Sequence, residues 1–182
     1  MALASSADLT DRCAAIDLLA VDVDGVLTDG VIALDDQGVE TKHFHVRDGL
    51  GYSLWHRAGK RSAILTGRRA EVVSRRAVEL GISYVAQGLS DKGAALEEML
   101  RDLHLEPRQV CFVGDDLVDL PVLRAVGLSA CPGDAVPEVR DCALLVTQAA
   151  GGRGAVREVI ELILKVQGSW HALCRPYQMP AL

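Results

Sequence analysis

Asp22 and Asp24 stand two residues apart at the end of the apolar run Leu18-Leu19-Ala20-Val21, and Gly25 follows at once. Ionised carboxylates leaving a hydrophobic segment are costly to desolvate unless something pairs with them. A divalent cation can neutralise both. Hard oxygen ligands of this kind select Mg²⁺, which takes one or two carboxylates, keeps several waters and accepts a phosphate oxygen. A second acidic group, Asp115, Asp116 and Asp119, follows another apolar run that ends at Val113. Between the two groups come the turn Thr66-Gly67-Arg68 and Lys92 at an expected helix start. A helix dipole disfavours a lysine in its first turn, so Lys92 makes better sense beside an anion. A phosphoryl group in flight carries charge on its equatorial oxygens, and metal, lysine and backbone donors answer that charge. A carboxylate nucleophile would split the reaction into formation and hydrolysis of an acyl phosphate. A second acid nearby could protonate the leaving oxygen, an effect typically worth about 10²–10⁴-fold.

These groups need a scaffold that brings them together. Residues 18–23 read as a buried strand with chemistry at its carboxyl end. Segments 31–34 and 39–46 are β-prone, and Asp35-Asp36-Gln37-Gly38 between them reads as a hairpin turn. A helix is expected over 49–58, then a strand at 61–65, a helix at 69–80 closed by Gly81, and a short strand at 82–86. Ser90 is positioned to cap a helix from 91 to about 104. Another buried strand is expected at 109–113, short strands near 127–130 and 143–146, and a last amphipathic helix over 153–166. Strands alternating with helices predict an α/β fold: a Rossmann-like doubly wound parallel sheet with helices on both faces. The small hairpin insertion, about residues 29–47, leaves no room for a large cap domain. Every polar cluster falls at the carboxyl end of an expected strand, where such folds bind ligands.

Composition sets outer bounds. The 182 residues suit one domain, with a C-terminal tail over 168–182 that has no readable period. A net charge of −6 argues against nucleic acid or an anionic membrane as the main partner. The five cysteines are odd in number and lack metal-ligand spacing, which favours a reducing compartment. The first residues lack a basic start and an apolar stretch, and no run approaches the ~20 apolar residues of a membrane span. The expected location is cytoplasmic.

The order Asp22-Val23-Asp24-Gly25, Leu65-Thr66-Gly67-Arg68, Lys92, then Gly114-Asp115-Asp116 with Asp119 resembles the haloacid dehalogenase superfamily of phosphohydrolases. The resemblance implies that Asp22 is the nucleophile and that Asp24 is the acid, then the base for water. Asp24 would also offer its backbone carbonyl to the metal. It implies that Asp115 completes the Mg²⁺ site, that Thr66 and Lys92 hold phosphoryl oxygens, and that Asp116 and Asp119 orient Lys92 or metal-bound water. More narrowly, Leu27-Thr28-Asp29-Gly30, the segment Lys42-His43-Phe44-His45-Val46-Arg47-Asp48-Gly49, the helix 69–80 and Gln87-Gly88-Leu89-Ser90-Asp91-Lys92 resemble one capless subgroup, the 3-deoxy-D-manno-octulosonate 8-phosphate phosphatases of lipopolysaccharide synthesis. That resemblance implies a homotetramer in which packed hairpins and a neighbouring subunit complete each pocket. It makes Thr28, Gly67, Arg68, Arg75, Arg47, Asp48 and Gly49 candidates for binding a small sugar-acid phosphate, with arginines able to fork onto its carboxylate. Arg76 is a further candidate for the substrate or the subunit interface. The turn Gly151-Gly152-Arg153-Gly154 also fits the subgroup, either as a flexible linker or with its arginine meeting an anion. Phosphatases of nine-carbon sialic-acid-like 9-phosphates share the same pattern. A non-catalytic assembly module is the reading from a different class, and retention of Asp22, Asp24, Lys92 and Asp115 counts against it. A mutase-type phosphotransferase normally needs a cap to exclude water.

Overall fold

The run expected as a buried strand forms β1 (Leu18–Val21), with all four side chains buried. The computed structural model describes residues 6–177. In it β1 lies between β4 (Arg61–Thr66) and β6 (Val110–Val113) at the middle of a six-stranded sheet. β5 (Tyr84–Gln87) flanks β4, while β7 (Leu128–Cys131) and β8 (Leu145–Val146) continue beyond β6. Every neighbouring pair is parallel, and Val21 lies opposite both Ile64 and Val113. The register therefore sends Asp22, Thr66 and the Gly114-Asp115 turn to the same edge.

Side chains of β1 alternate between two cores, as the strand period requires. Leu19 and Val21 face α1 (Ser6–Ala15), α2 (Val46–Arg57), α3 (Glu71–Leu80), α7 (Ala155–Val166) and α8 (Trp170–Cys174). Leu18 and Ala20 face α4 (Lys92–Leu103), α5 (Leu120–Leu123) and α6 (Pro137–Cys142). The doubly wound parallel sheet read from the sequence is thus present. Between β1 and β4 the chain makes only a hairpin, β2 (Ala33–Leu34) and β3 (Glu40–Thr41), followed by α2. No large cap is present among the described residues, and none of their helices is long and apolar enough to cross a membrane.

Several boundaries differ from expectation. The hairpin ladder is only two residues long on each side, and α2 starts at Val46, where the His45 ring accepts the Arg47 amide at 3.3 Å. The last helix begins at Ala155 because Gly152 and Gly154 take left-handed φ values of 62° and 103°. Ser90 does not cap α4. Asp91 does, accepting the Ala94 amide at 3.0 Å. Helices α1, α6 and α8 had no counterpart in the sequence reading. α6 is six residues long with Pro137 in its first turn, a recognisable start signal without enough length to show a period. Residues 178–182 of the expected tail lie outside the described residues.

Because Asp91 fixes the turn that presents Lys92, the two candidate caps separate cleanly. Asp91→Ala is expected to cost about 1 kcal/mol, or roughly 2–4 °C in Tm, and Ser90→Ala close to nothing. Thermal melts of the two variants check this, and equal losses would restore Ser90 as the cap.

Candidate active site

The exit of β1 is pinned when the Asp22 amide donates to Val113 O at 2.9 Å. The Asp22 side chain is buried there. Lys92, the first residue of α4, is equally buried and places Nζ 3.0 Å from Asp22 Oδ1 and 2.6 Å from Asp119 Oδ1. Asp119 is fully buried, and its Oδ2 accepts the amides of Asp115 at 3.0 Å and Asp116 at 3.3 Å. It thereby ties Lys92 to the loop after β6.

One oxygen from each of Asp22, Asp115 and Asp119 lies within 4.8 Å of the others. Three carboxylates against one ammonium leave an excess of two negative charges. The effect on protonation is direct. Burial, and then the Asp119 charge, push Asp22 up to about 6 despite the pull of Lys92. Burial, with Asp22, Asp119 and Asp116 adding repulsion, pushes Asp115 up to about 7. Asp115 Oδ1 is buried without a hydrogen-bond partner. A hard divalent cation would supply the missing charge and the missing partner. Both Asp119 oxygens are already engaged, so the donors left for a cation are those of Asp22 and Asp115.

Gly25 is required for this geometry. Its φ is 87°, and a Cβ there would run into the Asp115 carboxylate. The loop is braced from behind by Gly151 and Gly152. The Gly152 amide donates to Val26 O at 3.0 Å, and the Gly151 amide to Asp134 Oδ1 at 2.9 Å. A Cβ on Gly151 would strike the Gly25 carbonyl, and one on Gly152 would stand 2.5 Å from the Asp29 amide nitrogen. This turn is a wedge against the nucleophile loop and not a flexible linker. Its Arg153 pairs with Asp29 at 3.5 Å.

Asp24 has its own set of partners. Lys42 Nζ donates to Asp24 Oδ1 and lies 2.9 Å from Glu40 Oε1. Arg68 reaches Asp24 Oδ2 at 3.6 Å and Glu40 Oε1 at 3.0 Å. The Lys42 side chain is almost wholly buried, while that of Arg68 is about half exposed. Lys42 and Glu40 were missed in the sequence. The signal was available in an unpaired Asp24 beside a hairpin that folds back over it, but only the fold reveals which hairpin residue arrives.

The remaining candidates divide. Thr66 is buried as the last residue of β4, and Gly67 is exposed in the turn that follows. Thr28 is buried with its hydroxyl engaged inside the loop. Its hydroxyl accepts the Gly30 amide at 3.2 Å and donates to Val23 O at 3.4 Å, which shapes the loop. Asp116 is exposed and accepts the Leu117 amide at 2.7 Å, capping the turn at 117–119, so orientation of Lys92 falls to Asp119. Arg75 points outward from α3 and pairs with Glu71 at 3.3 Å. Arg76 stacks on Phe44 and pairs with Glu79 at 2.7 Å. Asp48 is only 2% exposed, and its carboxylate accepts the Arg157 amide at 2.8 Å, which takes it out of any substrate surface. Gly49 packs against α3, where a Cβ would meet the Arg76 guanidinium at 3.1 Å. Arg47 is exposed on a groove shared with Arg153 and Arg157.

Comparison with known proteins agrees with this geometry. The haloacid dehalogenase-like hydrolase profile matches residues 81–160. The 3-deoxy-D-manno-octulosonate 8-phosphate phosphatase of Yersinia pestis is 49% identical, covering 88% of this chain and 86% of its own. That of Escherichia coli is 47% identical, covering 90% and 87%. The crystal structure of the Moraxella catarrhalis enzyme in complex with a magnesium ion, a phosphate ion and KDO superposes with a TM-score of 0.93 at 40% identity, covering 95% of this chain and 99% of that one. With nearly half of its residues shared along almost the whole length, the chain belongs to the haloacid dehalogenase-like hydrolases, within the family of the 3-deoxy-D-manno-octulosonate 8-phosphate phosphatases.

Proposed function

We propose that the chain is a Mg²⁺-dependent phosphatase that hydrolyses 3-deoxy-D-manno-octulosonate 8-phosphate to the free sugar acid and phosphate, through a phosphoryl group held transiently on Asp22. The observation that carries the reading is the meeting of Asp22, Asp115 and Asp119 around Lys92, with Asp24 on the adjoining turn. Relatives 47–49% identical bear that activity in their names, and the Moraxella catarrhalis structure holds magnesium, phosphate and KDO.

In this reading Mg²⁺, held by Asp22, Asp115 and the Asp24 carbonyl, supplies positive charge to the phosphoryl oxygens. An Asp22 oxygen attacks phosphorus while the bond to the sugar oxygen breaks, and Asp24 gives that oxygen a proton. Asp24 then takes a proton from water, which attacks phosphorus and releases Asp22 and inorganic phosphate. Lys92 and Thr66 hold phosphoryl oxygens throughout. Lys42 fixes the orientation of Asp24 towards the leaving oxygen. Arg68, held by Glu40 and half exposed, stands ready to fork onto the sugar carboxylate. The setting we assign is lipopolysaccharide precursor synthesis in the cytoplasm. The hairpin leaves Val31, Leu34 and Val39 exposed, which supports a homotetramer built on packed hairpins.

Phosphate release should be fastest from the eight-carbon sugar-acid phosphate when it is measured beside nine-carbon acid phosphates. It should vanish with EDTA and fall by several orders of magnitude in Asp22→Asn. Equal or faster turnover of the nine-carbon compound rejects the substrate, and an active Asp22→Asn rejects the nucleophile.

Lys42→Met gives a finer test. Disordering the acid should lower kcat on an alkyl phosphate by about 10–100-fold. The loss should be much smaller on p-nitrophenyl phosphate, whose leaving group departs without a proton. Equal losses on both substrates would remove Lys42 from the acid step.

A further inference from the structure

Asp48 has a buried carboxylate that the proposed reaction does not use. Its side chain leaves α2 and accepts the amide of Arg157, a first-turn amide of α7, at 2.8 Å. Such amides have no intrahelical partner, and a capping side chain normally answers them. Here the N-cap residue is Gly154, which offers no side chain. Asp48 therefore supplies from a neighbouring helix the cap that α7 lacks, with a negative charge at the positive end of the helix dipole. The two helices touch closely enough to make this bond short. A Cβ on Gly51 would stand 3.2 Å from Ile160 Cδ1 and 3.4 Å from Arg157 Cα. Burial raises the Asp48 carboxyl above its usual range, while the Arg157 amide, His45, Arg76 and Arg157 favour its charged form.

What lies immediately before α7 gives this cap its consequence. The Gly151-Gly152 turn is the wedge against residues 25–29, and Gly25 in turn lies on the Asp115 carboxylate. A displacement of the α7 start thus has a short covalent and steric path to the carboxylates around Lys92. We infer that Asp48 is a positioning residue: by capping α7 from α2 it seats the Gly151-Gly152 turn, which holds the Asp24-Gly25 loop against Asp115 and sets the geometry of the cation site. The inference rests on the cation-site reading above. It assigns to Asp48 a task other than substrate binding, and it gives the two glycines that follow it on α2, Gly49 and Gly51, the task of letting α2 approach α3 and α7.

The test compares Asp48→Ala, Asp48→Asn and Val159→Ala, the last a core substitution on α7 beyond its first turn. Mg²⁺ half-saturation is read from the Mg²⁺-induced rise in Tm, which requires no turnover, and kcat is read separately on p-nitrophenyl phosphate. Asp48→Ala should raise the half-saturation and lower kcat by about tenfold each, below the roughly 10²-fold of a full 1 Å misplacement. Asp48→Asn keeps an acceptor oxygen for the Arg157 amide and should recover to within about threefold. Val159→Ala should lose stability with neither change. The inference is overturned if Asp48→Ala matches Val159→Ala in both readouts, or if Asp48→Asn is as impaired as Asp48→Ala. Asp134→Ala frees Gly151 from its other tether at an exposed position. It must also weaken Mg²⁺, and a normal response there overturns the inference even if Asp48→Ala does not fold. A wild-type protein that binds Mg²⁺ without releasing phosphate would sink the phosphatase reading alone, because the thermal readout of Asp48 would still decide this one.

Discussion

Three carboxylates crowd together at the carboxyl edge of the sheet with one buried lysine paired to two of them, and much of the structure serves to make that crowding tolerable. Lys92 cancels one charge, and Asp119 spends its remaining oxygen on the amides of Asp115 and Asp116. What is left, Asp22 near 6 and Asp115 near 7 with an unpartnered oxygen, is an electrostatic demand for a divalent cation. A surface cluster of acids would be relieved by water. This one sits where three parallel strands end together, and burial is the largest force on both carboxyls.

The rest of the scaffold translates that demand into position. β1, β4 and β6 end in register, so Asp22, Thr66 and Asp115 arrive together without long loops. Gly25 and Gly151 let three backbone segments stack where side chains would push them apart. The hairpin carries Lys42 and Glu40 over Asp24 and leaves Arg68 half exposed beside them. Its Val31, Leu34 and Val39 side chains stay exposed on the outer side.

The acidic cluster beside Lys92 was readable because Asp22 and Asp115 follow strand ends, and strand ends show in sequence as apolar runs broken by acid and glycine. The surroundings of the cluster were not. Arg75 and Asp48 share the charge and motif context of binding residues, yet one pairs with Glu71 on the outer face of α3 and the other caps α7. Lys42 looked like one more residue of a β-prone segment, because a ladder of only two residue pairs has no periodicity that says which side faces the acid. Ser90 was read as the cap of a helix starting at 91, and a one-residue shift in the start of α4 gives that role to Asp91. Local chemistry was therefore legible, while contacts made across tertiary interfaces depended on where α2, α7 and the hairpin come to rest.

The central claim is that a divalent cation replaces protons held by crowded carboxyls. Mg²⁺ titration calorimetry at pH 6, in two buffers of different ionisation heat, tests it most directly. With Asp22 near 6 and Asp115 near 7 without the cation, binding should release roughly one to one and a half protons at pH 6 and almost none at pH 8.5. Saturable binding that releases no proton at pH 6, or no binding at either pH, would contradict the account.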